Sequence, residues 1–277
     1  MDKKKHSASQ TILLILIILA LAAAAFCMSK VVRTLLGYAD AKNSYSSIAD
    51  QYVTVQTSAA ASASPSPSAS DSSQEPSATA EPVETEQSPI SIDFYNLRYN
   101  VNPEIVGWIY CPDTVINYPI TQHGDNRYYL DVNSDGHGSA SGSIFLDCAN
   151  SSAFRDANNI LYGHHMMDNS MFGSLYNWNK QEYYEQHPVM YLNTAESGNY
   201  RIDIFASFEA PAGGEAFDIY FPSDGKYNQY VLWLKETSNI DVPITPTDNQ
   251  PLLSLTTCAY SYDQARQIVV GVMTPIQ

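Results

Sequence analysis

Apolar and polar positions divide the chain into three segments of different character. Residues 11–28 are mostly apolar and carry no charge, which predicts a helix of about 27 Å, long enough to cross the hydrocarbon core of a bilayer. Residues 57–88 are almost wholly Ser, Ala, Pro, Thr and Glu, which offer little to bury and predict a disordered linker. Residues 89–277 carry the recurring short apolar runs of a folded domain.

Short β-rich runs dominate that third segment. Residues 200–208 alternate apolar and polar side chains, which is typical of a strand with one buried face. Turn residues separate most of the other strand-like runs, at 106–110, 116–122, 142–146, 159–162, 189–193, 252–256 and 267–273. Helical patterns are fewer and lie at 92–100, 171–186 and 226–237. The pattern therefore predicts a mostly-β barrel with a few inserted helices.

The N-terminal end has the charge pattern of a membrane anchor. Lys3, Lys4 and Lys5 precede the apolar run and favour a cytoplasmic N-terminus, although Lys30 and Arg33 follow it. A cleaved signal peptide is the alternative interpretation, because residues 23–25 are all Ala and resemble a cleavage site, but the length of the run favours an uncleaved anchor.

We therefore expect a single-pass protein of the cell membrane with five parts. They are a cytoplasmic tail (1–10), a transmembrane anchor (11–28), a juxtamembrane segment (29–56), a linker that lifts the domain away from the membrane (57–88) and an extracellular domain (89–277). The juxtamembrane residues 30–52 continue the anchor helix in this interpretation.

The charge of the chain excludes one class of function. Its 29 acidic and 14 basic residues give a net charge of −15. A protein that binds nucleic acid through its overall charge needs basic surface to displace counterions from phosphates, so we expect no nucleic-acid partner.

Three cysteines lie beyond the apolar segment that contains Cys27. Because three is an odd number, at least one of Cys111, Cys148 and Cys258 is expected to be a free thiol. Cys111 and Cys148 lie beside apolar strand residues, so both are predicted to be small buried packing residues. The cysteines and histidines lack zinc-site spacing. Residues 131–136 copy the start of a calcium-binding loop, but Gly142 stands where its Glu ligand would be, so we expect a polar turn and no metal.

Cys258, His164 and Arg266 are the candidate reactive residues. His164 and His165 follow a short apolar run that ends in Gly163. Cys258 ends the run 252–257, and Arg266 begins the next, so adjacent antiparallel strands would bring thiol and guanidinium together. A free thiol, a strand-end histidine and an isolated arginine are the groups needed for acyl transfer by a thiolate.

These residues carry a resemblance to sortases. Residues 253–258, LSLTTC, with Arg266 at the next strand start, resemble the T-x-T-C…R signature of that family, and residues 159–164, NILYGH, resemble its histidine segment. Further segments are similar, in order, to class B sortases: 102–109 (NPEIVGWI), 116–120 (INYPI), 126–130 (NRYYL) and 142–147 (GSIFLD). The resemblance covers about residues 92–273. His165 stands where Asn often follows the family histidine, and alignment on Tyr-Gly-His selects His164.

The resemblance implies a closed sortase-type β-barrel of about eight strands, with N-terminal helices and an inserted helix before the strand of the catalytic cysteine. It implies a cysteine transpeptidase that cuts a C-terminal sorting motif of surface proteins after Thr and transfers the acyl group to an amine of a peptidoglycan precursor or a pilin. No cofactor is implied. Cys258 would be the nucleophile, His164 the acid and base and Arg266 the oxyanion donor, while the substrate-binding residues would be Thr256, Asn126 and Leu130.

Two other functions fit part of the pattern. A thiol peptidase would resolve the acyl-enzyme with water in place of an amine, and product analysis with and without an amine separates the two. A non-catalytic domain that binds wall or partner peptides is disfavoured by the joint presence of Cys258, His164 and Arg266.

Overall fold

A long helix begins the folded chain. The structure is a computed structural model and describes residues 8–56, 86–247, 249–259, 261 and 264–277. Helix α1 (Ala8–Tyr52) contains, from Ile12 onwards, a stretch that is long and apolar enough to cross a membrane by length and composition. The predicted tail lies mostly outside the described residues, as does most of the predicted linker.

Over the residues that the structure describes, ten strands and three further α-helices follow α1. The strands are β1 (Val53–Val55), β2 (Ile90–Ile92), β3 (Ile105–Tyr110), β4 (Asn117–Thr121), β5 (Ile144–Leu146), β6 (Asn158–Tyr162), β7 (Val189–Thr194), β8 (Asn199–Pro211), β9 (Leu252–Cys258) and β10 (Ala265–Ile276). The helices are α2 (Phe94–Asn100), α3 (Gln181–Gln186) and α4 (Asp224–Thr237), with 3-10 turns at Tyr128–Leu130, Gly173–Asn179 and Glu215–Phe217.

Eight of these strands close into a barrel in the order β10-β8-β7-β3-β4-β5-β6-β9. The pairs β4–β5 and β6–β9 are parallel, and the other pairs are antiparallel. Helix α4 lies between β8 and β9 in the chain. The predicted mostly-β barrel of about eight strands, with a helix inserted before the strand of Cys258, is confirmed.

The C-terminal part of α1 packs directly on the barrel. Ala41 and Tyr45 are buried in the main core, and Ile48 and Tyr52 are buried in a second cluster with Trp108. These apolar residues recur at helical spacing, so they give α1 one buried face. The helix that carries the apolar stretch therefore reaches the barrel without an intervening linker.

This arrangement differs from the expected one, in which residues 57–88 lift the domain away from the membrane. The two flanks of that segment meet each other, because β1 pairs with β2 and Gln56 N donates to Pro89 O at 2.8 Å. Residues 86–88 also belong to the fold and not to a disordered linker: Ser88 is 2% exposed and donates its N–H to Gln277 O. The folded unit thus includes the end of α1.

Replacing Ile48 by Ala tests whether α1 is part of this unit. The change removes a buried side chain at the helix–barrel contact and is expected to lower the free energy of unfolding by about 2–4 kcal/mol. The control is Leu232→Ala at an exposed position of α4, expected to change it by less than about 0.5 kcal/mol. Denaturant unfolding of the full chain in detergent measures both, and equal stability of the two variants would show that α1 does not stabilise the barrel.

Candidate active site

Strand register brings the candidate reactive residues to one edge of the barrel. Cys258 at the end of β9 pairs with Arg266 at the start of β10, and residues paired across antiparallel strands point to the same face. Strand β6 runs parallel to β9, with Tyr162 opposite Thr256, and Gly163 N donates to Thr256 O at 3.1 Å. Because parallel strands end at the same edge, the segment that follows β6 emerges beside Cys258.

A cavity of about 450 Å³ opens at this edge. All six site residues predicted from the sequence line it, namely Asn126, Leu130, His164, Thr256, Cys258 and Arg266. It is also lined by seven residues that were not predicted from the sequence: Phe145, Tyr162, Gly163, Ala212, Gly213, Phe217 and Thr257. Phe217 lies in the chain between β8 and α4, so the insertion before β9 supplies part of the wall.

One ring nitrogen of His164 is fixed by the backbone. Its Nε2 lies 2.7 Å from the carbonyl oxygen of Leu130. A carbonyl oxygen only accepts hydrogen bonds, so Nε2 carries a proton and donates it. Nδ1 is therefore the ring nitrogen that can take up or release a proton when the imidazole reacts.

The neighbouring His165 has a different partner. Its Nδ1 lies 2.8 Å from the carbonyl oxygen of Cys258, to which it donates. His165 does not line the cavity. His164 thus lines the cavity, whereas His165 hydrogen-bonds to the backbone of β9, the strand that carries the Cys258 thiol.

Arg266 is half-buried in the cavity wall and forms no salt bridge with any residue that the structure describes. Its Nη1 donates to Ala265 O at 3.0 Å. A guanidinium has five N–H donors in a planar fork. This arrangement leaves directed donors for a bound group at the side of Cys258.

The buried carboxylate of Asp147 holds two residues of the cavity wall in place. Asp147 accepts hydrogen bonds from the Tyr162 hydroxyl at 2.8 Å and from Asn126 Nδ2 at 3.0 Å, and Cys148 N donates to Asn126 Oδ1 at 2.8 Å. Burial, and then Asp147, raise the pKa of Tyr162 above its usual value, so its phenol stays a neutral donor. The amide of Asn126 is thus held in place with one further N–H left for a ligand.

Two hydroxyls in the wall lack a partner. Among the described residues, Thr256 Oγ1 and Thr257 Oγ1 are buried without a hydrogen bond, and Thr256 is 1% exposed. A buried unsatisfied hydroxyl costs about 1–3 kcal/mol. Both residues line the cavity through other atoms, since their hydroxyl oxygens are not exposed.

The other two cysteines of the barrel differ from each other. Cys111 is buried as predicted, and burial raises the pKa of its thiol to about 12. Cys148 is exposed, so its prediction as a buried packing residue is wrong. The reason is its position two residues beyond the end of β5, where the chain has left the barrel wall for a turn.

The calcium-like loop is a hydrogen-bonded turn. Asp135 accepts from Ser44 Oγ of α1 and lies 2.7 Å from His137 Nδ1, so its carboxylate is engaged within the protein. Over the described ranges, no three His, Cys, Asp or Glu side chains are grouped as a metal site would require.

The chain is similar to curated proteins of one family. It is 33% identical to sortase B of Listeria monocytogenes over 175 residues, which are 62% of this chain and 70% of that protein. It is 31% identical to sortase B of Staphylococcus aureus over 172 residues, with the same two coverages. No family model matches the chain.

Solved structures agree with these relatives. A crystal structure of sortase B complexed with triglycine superposes with a TM-score of 0.63 at 32% identity, over 66% of this chain and 86% of the other. A Staphylococcus aureus sortase B–substrate complex gives 0.62 at 31% identity, over 66% and 85%. Sortase B from B. anthracis gives 0.68 at 28% identity and covers 87% of this chain and 99% of its own.

Thiol labelling tests the geometry of the cysteines. At pH 8, Cys111 is expected to hold roughly a thousandfold less thiolate than an exposed thiol, because burial disfavours the charged form. We expect a small maleimide to label Cys148 rapidly and to leave Cys111 unmodified in the folded full chain, whereas urea makes both react. Tandem mass spectrometry of the labelled peptides measures this. Labelling of Cys111 at the native rate of Cys148 would contradict the buried position.

Proposed function

This chain belongs to the class B sortase family and is a sortase-type cysteine transpeptidase, and we propose that Cys258, His164 and Arg266 perform its chemistry. The observation that supports these roles most strongly is the register of β9 with β6 and β10, which gathers the three side chains around one cavity. We further propose that the substrate is a C-terminal sorting motif, cleaved after Thr.

Acylation begins when the thiolate of Cys258 attacks the Thr carbonyl carbon of the motif. Negative charge develops on the carbonyl oxygen, and Arg266 donates to it from the paired position on β10. The C–N bond then breaks, and Nδ1 of protonated His164 gives its proton to the departing amine. A thioester between Cys258 and the Thr carbonyl is left on the enzyme.

Transfer to an amine completes the reaction. The nitrogen of the incoming primary amine attacks the thioester carbon while Nδ1 of His164 takes its proton. The C–S bond breaks, and Cys258 returns as a thiolate. Triglycine, with which a related sortase B was crystallised, carries an unhindered primary amine, which supports an amine of a peptidoglycan precursor, or of a pilin, as the acceptor.

The lining of the cavity supports the proposed substrate contacts. We propose that Thr256 and the remaining N–H of Asn126 contact the backbone of the sorting motif, and that Leu130 contacts its side chains. Surface proteins that bear such a motif are the expected partners. A related sortase B was crystallised with its substrate.

We propose that α1 anchors the enzyme in the cell membrane by one crossing, with the N-terminus cytoplasmic and the barrel extracellular. The apolar stretch of α1 and the lysines before it support this orientation. A membrane-impermeant maleimide applied to intact cells should label the exposed Cys148; labelling only after lysis would contradict the orientation.

Product analysis tests the transpeptidase proposal against the thiol peptidase alternative. Full chain in detergent is incubated with peptides from a Pro-x-Thr library, with and without triglycine, and products are identified by mass spectrometry. We expect a ligated product joined through Thr when triglycine is present, and no cleavage by Cys258→Ala. The control Cys148→Ala should retain most activity. Hydrolysis alone at saturating triglycine would favour the peptidase, and cleavage by Cys258→Ala would remove Cys258 as nucleophile.

Replacing each neighbouring histidine tests which one is the acid and base. His164→Ala is expected to lower kcat/KM by at least about a hundredfold, because general acid–base catalysis contributes that much or more. His165→Ala is expected to cost less than about tenfold, since its imidazole does not line the cavity and donates to the backbone carbonyl of Cys258. Steady-state cleavage of a quenched peptide measures both, and the reverse order would assign the role to His165.

Conservative replacement of Arg266 separates directed hydrogen bonding from simple charge. Arg266→Lys keeps the charge and removes the planar fork, so we expect it to lose at least about a hundredfold in kcat/KM, nearly as much as Arg266→Ala. The exposed Arg155→Ala is the matched control and should be unchanged. Normal turnover by Arg266→Ala would exclude this residue from the mechanism, and normal turnover by Arg266→Lys alone would reduce its role to charge.

A further inference from the structure

Two loops hold the backbone and the ring of His164. The first loop links the 3-10 turn Tyr128–Leu130 to β5. The Leu130 carbonyl, at the end of this turn, accepts from His164 Nε2 at 2.7 Å. The second loop follows β6 and contains His164 itself. Its return passes beside the histidine, because Phe172 N donates to His164 O at 3.0 Å.

Tyr45 of helix α1 contacts the first loop. Its ring is 5% exposed, and its hydroxyl donates to the carbonyl oxygen of Gly142 at 2.5 Å. Gly142 has a φ of +54° and packs tightly on the 3-10 turn, since a Cβ there would lie 2.5 Å from the carbonyl oxygen of Leu130. Tyr45 therefore hydrogen-bonds to a glycine that packs against the Leu130 carbonyl, which is the group that accepts from His164.

Tyr45 also contacts the support of the second loop. Its ring packs edge-on against Tyr118, with centroids 5.4 Å apart and planes at 85°. The Tyr118 hydroxyl accepts from Met171 N at 3.1 Å, and Met171 forms an antiparallel bridge with His165. The Tyr45 side chain thus contacts the first loop directly and the second loop through Tyr118.

A second residue of α1 strengthens the link to the first loop. Ser44 Oγ donates to Asp135 Oδ2 at 2.7 Å, and Asp135 lies in the loop that runs from Leu130 to Gly142. Two adjacent residues of α1 therefore hydrogen-bond to this loop. Packing of α1 needs only apolar contact, whereas these bonds fix the loop in one position.

We infer that Tyr45, a residue of the proposed membrane helix, is a positioning residue for His164, an inference that rests on the acid–base role proposed for that histidine. Tyr45 does not line the cavity that contains Cys258. It acts by holding the Leu130 carbonyl where His164 Nε2 must donate, which leaves Nδ1 directed toward the reaction. The helix that joins the enzyme to the membrane is thereby part of its catalytic support.

The chain offers a matched pair of variants in one helix. Tyr45→Phe removes only the hydroxyl that bonds to Gly142. Tyr52→Phe makes the same change at another buried tyrosine of α1, which belongs to the second cluster and not to the main core that contains Tyr45 and Tyr118. Tyr118→Phe removes the acceptor of Met171 N and tests the second loop independently, should Tyr45→Phe lower the melting temperature.

The first readout is the split between kcat and KM for the full chain in detergent, with a quenched peptide. A misplacement of about 1 Å can cost a hundredfold in rate, so loss of one of several supports is expected to lower kcat by about tenfold in Tyr45→Phe and to leave KM within about twofold. Tyr118→Phe should lower kcat in the same way. Tyr52→Phe should match the wild type.

The second readout is the tautomer of His164, and it requires no activity. In the [15N]histidine spectrum, neutral His164 should carry its proton on Nε2, whereas His165, which donates from Nδ1, serves as an internal reference of the opposite tautomer. His164→Gln assigns the signal. Tyr45→Phe should raise the Nδ1–H population of His164 and leave His165 unchanged.

Each failure has its own pattern. Wild-type kcat in Tyr45→Phe, or an unchanged His164 tautomer, would overturn the positioning role, while the inactivity of His164→Ala would still support the proposed function. Activity of His164→Ala would overturn the acid–base role proposed for that histidine, and with it the inference on Tyr45. An equal loss of kcat in Tyr52→Phe would also overturn the inference, because it would show a general effect of α1 packing.

Discussion

The register by which β9 closes the barrel determines where the proposed reactive groups lie. Strand β9 pairs in parallel with β6 and antiparallel with β10, so the end of β6, the end of β9 and the start of β10 fall at one edge. A slip of one residue would turn the side chains of Cys258 and Thr256 to the opposite face. The position of the proposed nucleophile relative to Arg266 and His164 thus depends on the backbone pairing along the whole of β9.

Helix α1 packs on the barrel as part of the same folded unit. Ala41, Tyr45 and Ile48 bury the inner face of α1, and hydrogen bonds from Ser44 and Tyr45 tie it to the loop before β5. Within the described residues, the enzyme therefore meets its proposed membrane through a continuous helix. In the proposed arrangement, such a connection fixes the height of the cavity above the membrane to a degree that a flexible linker would not.

Much of the fold could be predicted because its signals are local. The alternation over residues 200–208 and the apolar run 252–256 were sufficient to predict β8 and β9. The motif around Cys258 indicated which residues share a site. The remainder depends on distant contacts. The carbonyl that fixes His164 belongs to Leu130, 34 residues earlier, and the exposure of Cys148 follows from where β5 ends. The packing of α1 was missed because its apolar face resembles a continuation of the anchor.

The most direct test of the account is to locate the acyl group on the enzyme. Full chain is mixed with a cleavable peptide, quenched in acid, digested and analysed by tandem mass spectrometry. The register of β9 predicts a thioester on Cys258 through the Thr carbonyl, which decays faster when triglycine is added before the quench. An adduct on the more exposed Cys148, or product formation without any adduct on Cys258, would contradict it.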